Sequence, residues 1–364
     1  MSDDLKLRRL NAMRSSDRIL SGVRPKTMRE RLADLETAAD LDGWPDFYGG
    51  GPVEALEERV AGLLGTEAAV LFPTGTMAQQ VALRYGADRT GIPAAALHPL
   101  GHQEMHERHA YAELSGLRGI TSTDRPRNPT AAEIAALGEP VSTVVVELPL
   151  RDAGFVLPSW EELVAVCGAA RAIGARVHFD GARIWESTPH LGRALREVVA
   201  LADSVYVSFY KSLGGISGAV LAGTADLANY ARPWRHRFGG TIYQQFPAAL
   251  SALAGLDREL PRLREYVGHA RTIADALASV PGARVFPHPP HTHQFRLWLP
   301  YPAAVLGEAV LRVAERERVW FAGGWVDADV PGYAMTEVTV AEPALEWTAA
   351  DVAAAAALVR KEIG

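Results

Sequence analysis

Between Ala68 and Gly223 the chain alternates short apolar runs, several of them closing on a polar residue, with longer segments of helical spacing. Residues Ala68–Phe72, Ala94–Leu97, 142–147, 177–180, Ser204–Ser208 and Ala219–Gly223 are the runs. Strands that alternate with helices predict an α/β fold with a mainly parallel sheet. Beyond about residue 268 the pattern changes to a helix, a strand at Gln294–Leu299, a helix at Ala303–Glu317, further strands and an alanine-rich helix at Ala349–Ile363. With 364 residues, 48% of them hydrophobic, the chain is long enough for two domains around a substantial core. The expected division is an N-terminal arm over 1–21, a large domain over 22–267 and a small α/β domain over 268–364. Helices are expected at 53–64, 78–85, 160–173, Ala225–Arg237 and, as one long segment, 248–266. Thr27 and Glu30 have the spacing of a capping box.

Two of the strand ends carry chemistry. Ser204–Ser208 runs into Phe209-Tyr210-Lys211-Ser212 and a glycine-rich turn, so Lys211 stands at a strand end flanked by Ser208 and Ser212. A desolvated lysine there suits Schiff-base chemistry with a carbonyl cofactor; an ordinary strand-end lysine is the plain alternative. Upstream, Phe179-Asp180-Gly181-Ala182-Arg183 ends a buried strand in an acid, a ligand position in open α/β sheets. Pyridoxal 5'-phosphate (PLP) enzymes need a lysine and an acidic or arginine partner at the pyridine nitrogen. Asp180 and Lys211, on consecutive strands, meet that need, and Arg183 can take a substrate carboxylate with its fork. The strand–turn–helix junction at Pro73-Thr74-Gly75-Thr76 aims backbone N–H groups at one point, as a cofactor phosphate requires.

Charge and composition exclude other classes. The net charge is −6 with no dominant Lys/Arg run, which argues against nucleic acid or an anionic membrane as partner. No apolar run is long enough to span a bilayer and residues 1–16 lack a hydrophobic signal core, so the cytoplasm is expected. The single cysteine, Cys167, excludes an internal disulfide and reads as a buried packing residue. His98, His102, His106 and His109 raise the question of a metal, but no cysteine or matching acidic ligand set accompanies them, and none is expected.

Taken together, these residues resemble the threonine aldolase and β-eliminating lyase family of fold-type-I PLP enzymes over nearly the whole chain. The matching motifs are Tyr48-Gly49, Pro73-Thr74-Gly75-Thr76-Met77-Ala78, Leu114-Ser115-Gly116, Phe179-Asp180-Gly181-Ala182-Arg183, Lys211-Ser212-Leu213-Gly214 and Gly239-Gly240. The resemblance implies a large domain with a seven-stranded, mainly parallel sheet and a smaller C-terminal domain. It implies Lys211 as the cofactor lysine, Asp180 at the pyridinium, Arg183 at the substrate carboxylate, and Gly75 and Thr76 at the phosphate; Ser208, which flanks Lys211, is expected among the cofactor-binding residues. His102 takes the place of the family's ring-stacking histidine. Tyr48 and the N-terminal arm would approach a neighbouring subunit's site in a homodimer or homotetramer with shared active sites.

Three departures bear on the site, the second of them through the loss of a phosphate-side arginine. After Glu147 the family's Asn-Thr and a His or Gln become Leu148-Pro149-Leu150, which puts leucine at a substrate-facing place. Gly-Gly-Gly-Met-Arg becomes Gly239-Gly240-Thr241-Ile242-Tyr243, without the arginine, and no arginine lies around Tyr333-Ala334-Met335-Thr336-Glu337. The carboxylate then rests on Arg183, helped by Arg296. The expected function is a PLP-dependent lyase that cleaves a β-hydroxy or β-substituted amino acid, with His102 or Lys211 as base and a more apolar pocket. The alternatives are a β-eliminating lyase or aminotransferase on the same scaffold, and a catalytically degenerate binding subunit.

Overall fold

The computed structural model describes residues 3–38 and 41–364, which fall into two compact units: 1–31 with 262–364, and 32–261.

The second unit is built on a seven-stranded sheet. Its strands are β1 (Ala68–Phe72), β2 (Ala94–Leu97), β3 (Arg118–Thr121), β4 (Thr143–Glu147), β5 (Arg176–Gly181), β6 (Ser204–Ser208) and β7 (Ala219–Gly223). Their order across the sheet is β1-β7-β6-β5-β4-β2-β3. Only β7 runs against its neighbours; the rest are parallel. β4 and β6 are buried at every position, and β1 and β5 at all but one. That is why they read as continuous apolar runs: a sheet covered on both faces has no polar side to alternate with. The register sets Glu147 beside Asp180, and Asp180 beside Tyr206. Three polar side chains therefore lie in one row across β4, β5 and β6.

Helix boundaries follow local chemistry. Thr74 caps the helix Gly75–Thr90 by accepting from Met77 N, so this helix begins three residues before the expected start. Ser159 and Glu162 form a capping box at Trp160–Ala172. Cys167 on that helix is fully buried, and burial pushes its thiol up to about 12. The single helix expected over 248–266 is instead Phe246–Arg258, a short 3-10 turn at Leu260–Arg262, and Leu263–Ala278. Pro261 explains the break, because proline has no N–H to donate and its ring crowds the preceding turn. The two units divide at this proline.

The first unit has a four-stranded antiparallel sheet in the order Val326–Asp327, Ala334–Thr339, Gln294–Leu299, Arg284–Phe286. Its core includes Phe295, Leu297, Val338 and Trp347. The residues expected to form an arm make a helix, Asp3–Ser15, whose Arg8 pairs with Glu308 at 2.8 Å and Glu315 at 2.7 Å. Glu30 accepts from Thr27 N at 2.7 Å and Thr27 Oγ1 accepts from Glu30 N at 3.3 Å, the capping box that the spacing predicts.

Candidate active site

Lys211 follows β6 by three residues, in a loop shaped by glycine. Gly215 N donates to Phe209 O at 2.8 Å, and a Cβ on Gly215 would come within 2.9 Å of that oxygen. The loop is also tied down by Ser212, whose hydroxyl donates to the fully buried Glu186 at 2.6 Å. Burial, then the Arg183 guanidinium, lowers the Lys211 ammonium below the usual lysine range, against the pull of Asp180 and Glu147. Its Nζ stands 6.0 Å from the Tyr206 ring and 5.9 Å from the Tyr210 ring.

Asp180, at the end of β5, is fully buried yet well supplied with donors. Its Oδ2 accepts from Gln79 Nε2 and from Gln103 Nε2 at 3.2 Å, and its Oδ1 from Ala182 N at 3.2 Å. Gln79 in turn faces His178 on the same strand: Gln79 Oε1 lies 2.6 Å from His178 Nε2, and His178 Nδ1 lies 2.8 Å from Ser204 Oγ. Burial holds the His178 imidazole down at about 4, so it is neutral at ordinary pH.

His102 opens the short helix His102–Met105. Its backbone N–H donates to Glu147 at 2.9 Å, and its Nδ1 lies 2.9 Å from Glu107 Oε1. Glu107 also accepts from Gln80 Nε2 at 3.0 Å. Burial by itself would lower the His102 imidazole, but the Glu107 bond and then the charge of Asp180 carry it above its usual value. Burial, then the charge of Asp180, pushes the Glu147 carboxyl up to about 7. The other histidines of this segment go to separate partners. His98 Nε2 meets the Arg125 and Arg127 carbonyls, His106 pairs with Asp152 at 2.7 Å, and His109 with Glu104 at 3.3 Å.

The remaining expected residues divide. Gly75 and Thr76 form the first turn of Gly75–Thr90, where a Cβ on Gly75 would collide with the Tyr206 hydroxyl. Ser208 is buried at the end of β6, and Arg183 is half-buried with Nε covered and unpaired in the structure. Tyr48 is 60% exposed; its ring meets Tyr243 at 5.2 Å and its N–H donates to Tyr243 O at 2.9 Å. Arg296 belongs to the first unit, on Gln294–Leu299, 3.8 Å from Glu337. Leu150 corrects an expectation. It is fully covered, packed with Ala153 and Val156, so it fills the core of its own loop and presents no surface to a substrate. Gln79, Gln80, Gln103, Glu107 and His178 were not anticipated. The available signal was two adjacent amides, Gln79-Gln80, inside an otherwise apolar helix face.

The beta-eliminating lyase family model matches residues 26–298, and the chain belongs to that family. A low-specificity L-threonine aldolase from Arabidopsis thaliana is 28% identical over 71% of this chain and 73% of its own length. A Listeria monocytogenes structure with a provisional L-allo-threonine aldolase assignment superposes with a TM-score of 0.91. It is 33% identical, over 98% of this chain and 99% of its own. An Exiguobacterium structure, provisionally an aromatic amino acid beta-eliminating lyase/threonine aldolase, gives a TM-score of 0.90 at 34% identity, with the same two coverages of 98% and 99%. The seven-stranded, mostly parallel sheet is that of the fold-type-I PLP enzymes.

Proposed function

We propose that the protein is a PLP-dependent lyase that cleaves the Cα–Cβ bond of a β-hydroxy amino acid, giving glycine and an aldehyde. The observation that carries this reading is the convergence of Lys211, Asp180 and His102, each within electrostatic reach of the other two. The relatives' names support the reaction class.

The residues fit the cofactor. Lys211 offers an amine whose lowered pKa leaves more of it neutral than an ordinary lysine has, as attachment to a carbonyl requires. Asp180 is a buried carboxylate with donors on both oxygens, suited to hold a proton at a ring nitrogen. The first turn of Gly75–Thr90 suits the phosphate, and the buried Ser208, with its hydroxyl unpaired in the structure, is a further cofactor-binding candidate. When bound, PLP supplies the sink for the electron pair released at Cα.

This chain's own groups do the rest. Arg183, with Nε buried and unpaired in the structure, takes the substrate carboxylate. His102 commits Nδ1 to Glu107, which leaves Nε2 to take the β-hydroxyl proton. As that proton leaves, the carbon–oxygen double bond of the aldehyde forms and the Cα–Cβ bond breaks; a proton returned to Cα completes glycine. Tyr48, exposed with Phe47 and Tyr243, faces a second copy of the chain and serves its site. The cytoplasm remains the expected location.

Aldehyde and ketoacid release should be assayed side by side with threonine, phenylserine and serine. Aldehyde with equimolar glycine supports the reading. Ketoacid and ammonia without aldehyde would move the protein to the eliminating branch, and no turnover of any of the three would reject both.

A further inference from the structure

Asp180 heads a buried chain of hydrogen bonds whose polarity the chemistry fixes. The chain runs from Asp180 Oδ2 through the Gln79 amide and the His178 ring to the Ser204 hydroxyl, and Gln79 and His178 are fully buried. A carboxylate only accepts, so the Gln79 group facing Asp180 must be the NH2. The Gln79 oxygen then faces His178 Nε2 at 2.6 Å, so that nitrogen carries the ring proton. A neutral imidazole has one N–H, which leaves Nδ1 as a lone pair that accepts from the Ser204 hydroxyl at 2.8 Å. Every donor in the series therefore points toward Asp180. Reversing the series would require a protonated Asp180 and would turn the Gln79 oxygen onto it. Gln103 adds a second amide donor to the same oxygen at 3.2 Å.

We propose that Gln79 and His178 are positioning residues that hold the Asp180 carboxylate aimed at the ring nitrogen of bound PLP, so that the nitrogen keeps its proton. Neither residue touches substrate; they act through Asp180. The neutral His178 ring, held near 4 by burial, matches the role, because an imidazolium would donate at both nitrogens and break the series at Ser204. The inference rests on Asp180 facing the ring nitrogen, as set out under the proposed function.

The test uses holoprotein reconstituted with PLP labelled with nitrogen-15 in the ring. Its readouts are the ring-nitrogen NMR shift and PLP affinity by equilibrium dialysis, for wild type, Asp180→Ala, Gln79→Met and His178→Leu. Wild type is expected to show the protonated-nitrogen shift and Asp180→Ala the unprotonated one. Gln79→Met, which leaves a buried carboxylate short of a donor, is expected to move toward Asp180→Ala and bind PLP about tenfold or more weakly. His178→Leu, one bond further out, is expected to move the same way by less, and it carries the comparison should Gln79→Met fail to fold. If Asp180→Ala shifts the signal while both other variants stay at the wild-type position, the positioning role is overturned and the Asp180 assignment stands. A signal that does not change even in Asp180→Ala overturns both.

Discussion

Gln79 and Gln80 are neighbours in sequence, and each donates its amide to a different buried acid: Gln79 to Asp180, and Gln80 to Glu107 at 3.0 Å. Consecutive side chains on a helix leave about 100° apart, so the start of the helix Gly75–Thr90 reaches two groups of the site at once. One acid faces the cofactor's ring nitrogen in the proposed reading, and the other holds His102. A single rigid helix thereby sets the distance between the group that keeps a proton and the group that takes one.

Lys211 is expected to carry the cofactor. Purified holoprotein treated with borohydride should yield one labelled peptide, the one that contains Lys211. A variant Lys211→Ala that still retains PLP after reduction and denaturation would show that another amine is used.

Glu107 should set the pH range of the reaction. Burial lowers the His102 imidazole, Glu107 and Asp180 raise it, and Lys211 lowers it; its backbone N–H donates to Glu147, with which it also interacts by charge, and its ring lies 5.3 Å from that of His106. His102 works as a base in its neutral form, so a raised pKa places the acid limb of kcat/KM at higher pH. Glu107→Gln removes a charge-assisted bond of roughly 1.5 kcal/mol, about one pH unit. The acid limb is expected to move down by about that much. A limb that stays in place would mean that the titrating base is not His102.

Two buried groups tilt stability in opposite directions. Glu147 is raised from 4.5 to about 7 in the folded protein, so folding favours its protonated form. Its contribution is lost as pH rises from about 4.5 to 7, because the unfolded chain then binds fewer protons than the folded one. His178 is lowered from 6.5 to about 4, so its contribution is gained as pH rises over that interval. Each slope is at most about 1.4 kcal/mol per pH unit, and they oppose each other where the intervals overlap. Glu147→Gln removes the first slope and changes its bonds to His102 N and Arg151 N by an amount independent of pH. In urea unfolding of apoprotein, the stability of Glu147→Gln relative to wild type should climb between pH 4.5 and 7 and then level. A difference that is flat across that range would place the Glu147 titration at its ordinary value.

The local part of the site was legible in the sequence, and the long-range part was not. Asp180, Lys211 and Gly75 sit at strand ends or a strand–helix junction, and those positions follow from apolar runs of five or six residues and the turns after them. Gln79 meets Asp180 across 101 positions and Gln80 meets Glu107 across 27, so nothing in the local pattern around either amide names its partner. The break at Pro261 is legible in the sequence as well, since a proline inside a helical pattern is its own warning. Leu150 shows the opposite limit. Its place after Glu147 was read from the motif, but the direction of its side chain is set by the loop's bridge to Val156.

That direction gives a prediction on which the motif and the structure disagree. If Leu150 lined the substrate's place, histidine there would supply a partner for a β-hydroxyl and raise threonine turnover at little cost. In the structure Leu150 is fully covered, packed with Ala153 and Val156, with Leu100 against the cluster. Leu150→Ala should then destabilise the protein by about 2 kcal/mol, near the low end for a buried leucine because the cluster is small. Leu150→His buries a polar imidazole in this apolar cluster and should cost a further 1–3 kcal/mol, roughly. Neither change should alter the ratio of kcat/KM for threonine to that for phenylserine, measured beside urea midpoints on the same preparations. Threonine turnover that rises in Leu150→His with the midpoint unchanged would show that the leucine does face the substrate, and that substrate choice among β-hydroxy amino acids is set at this position.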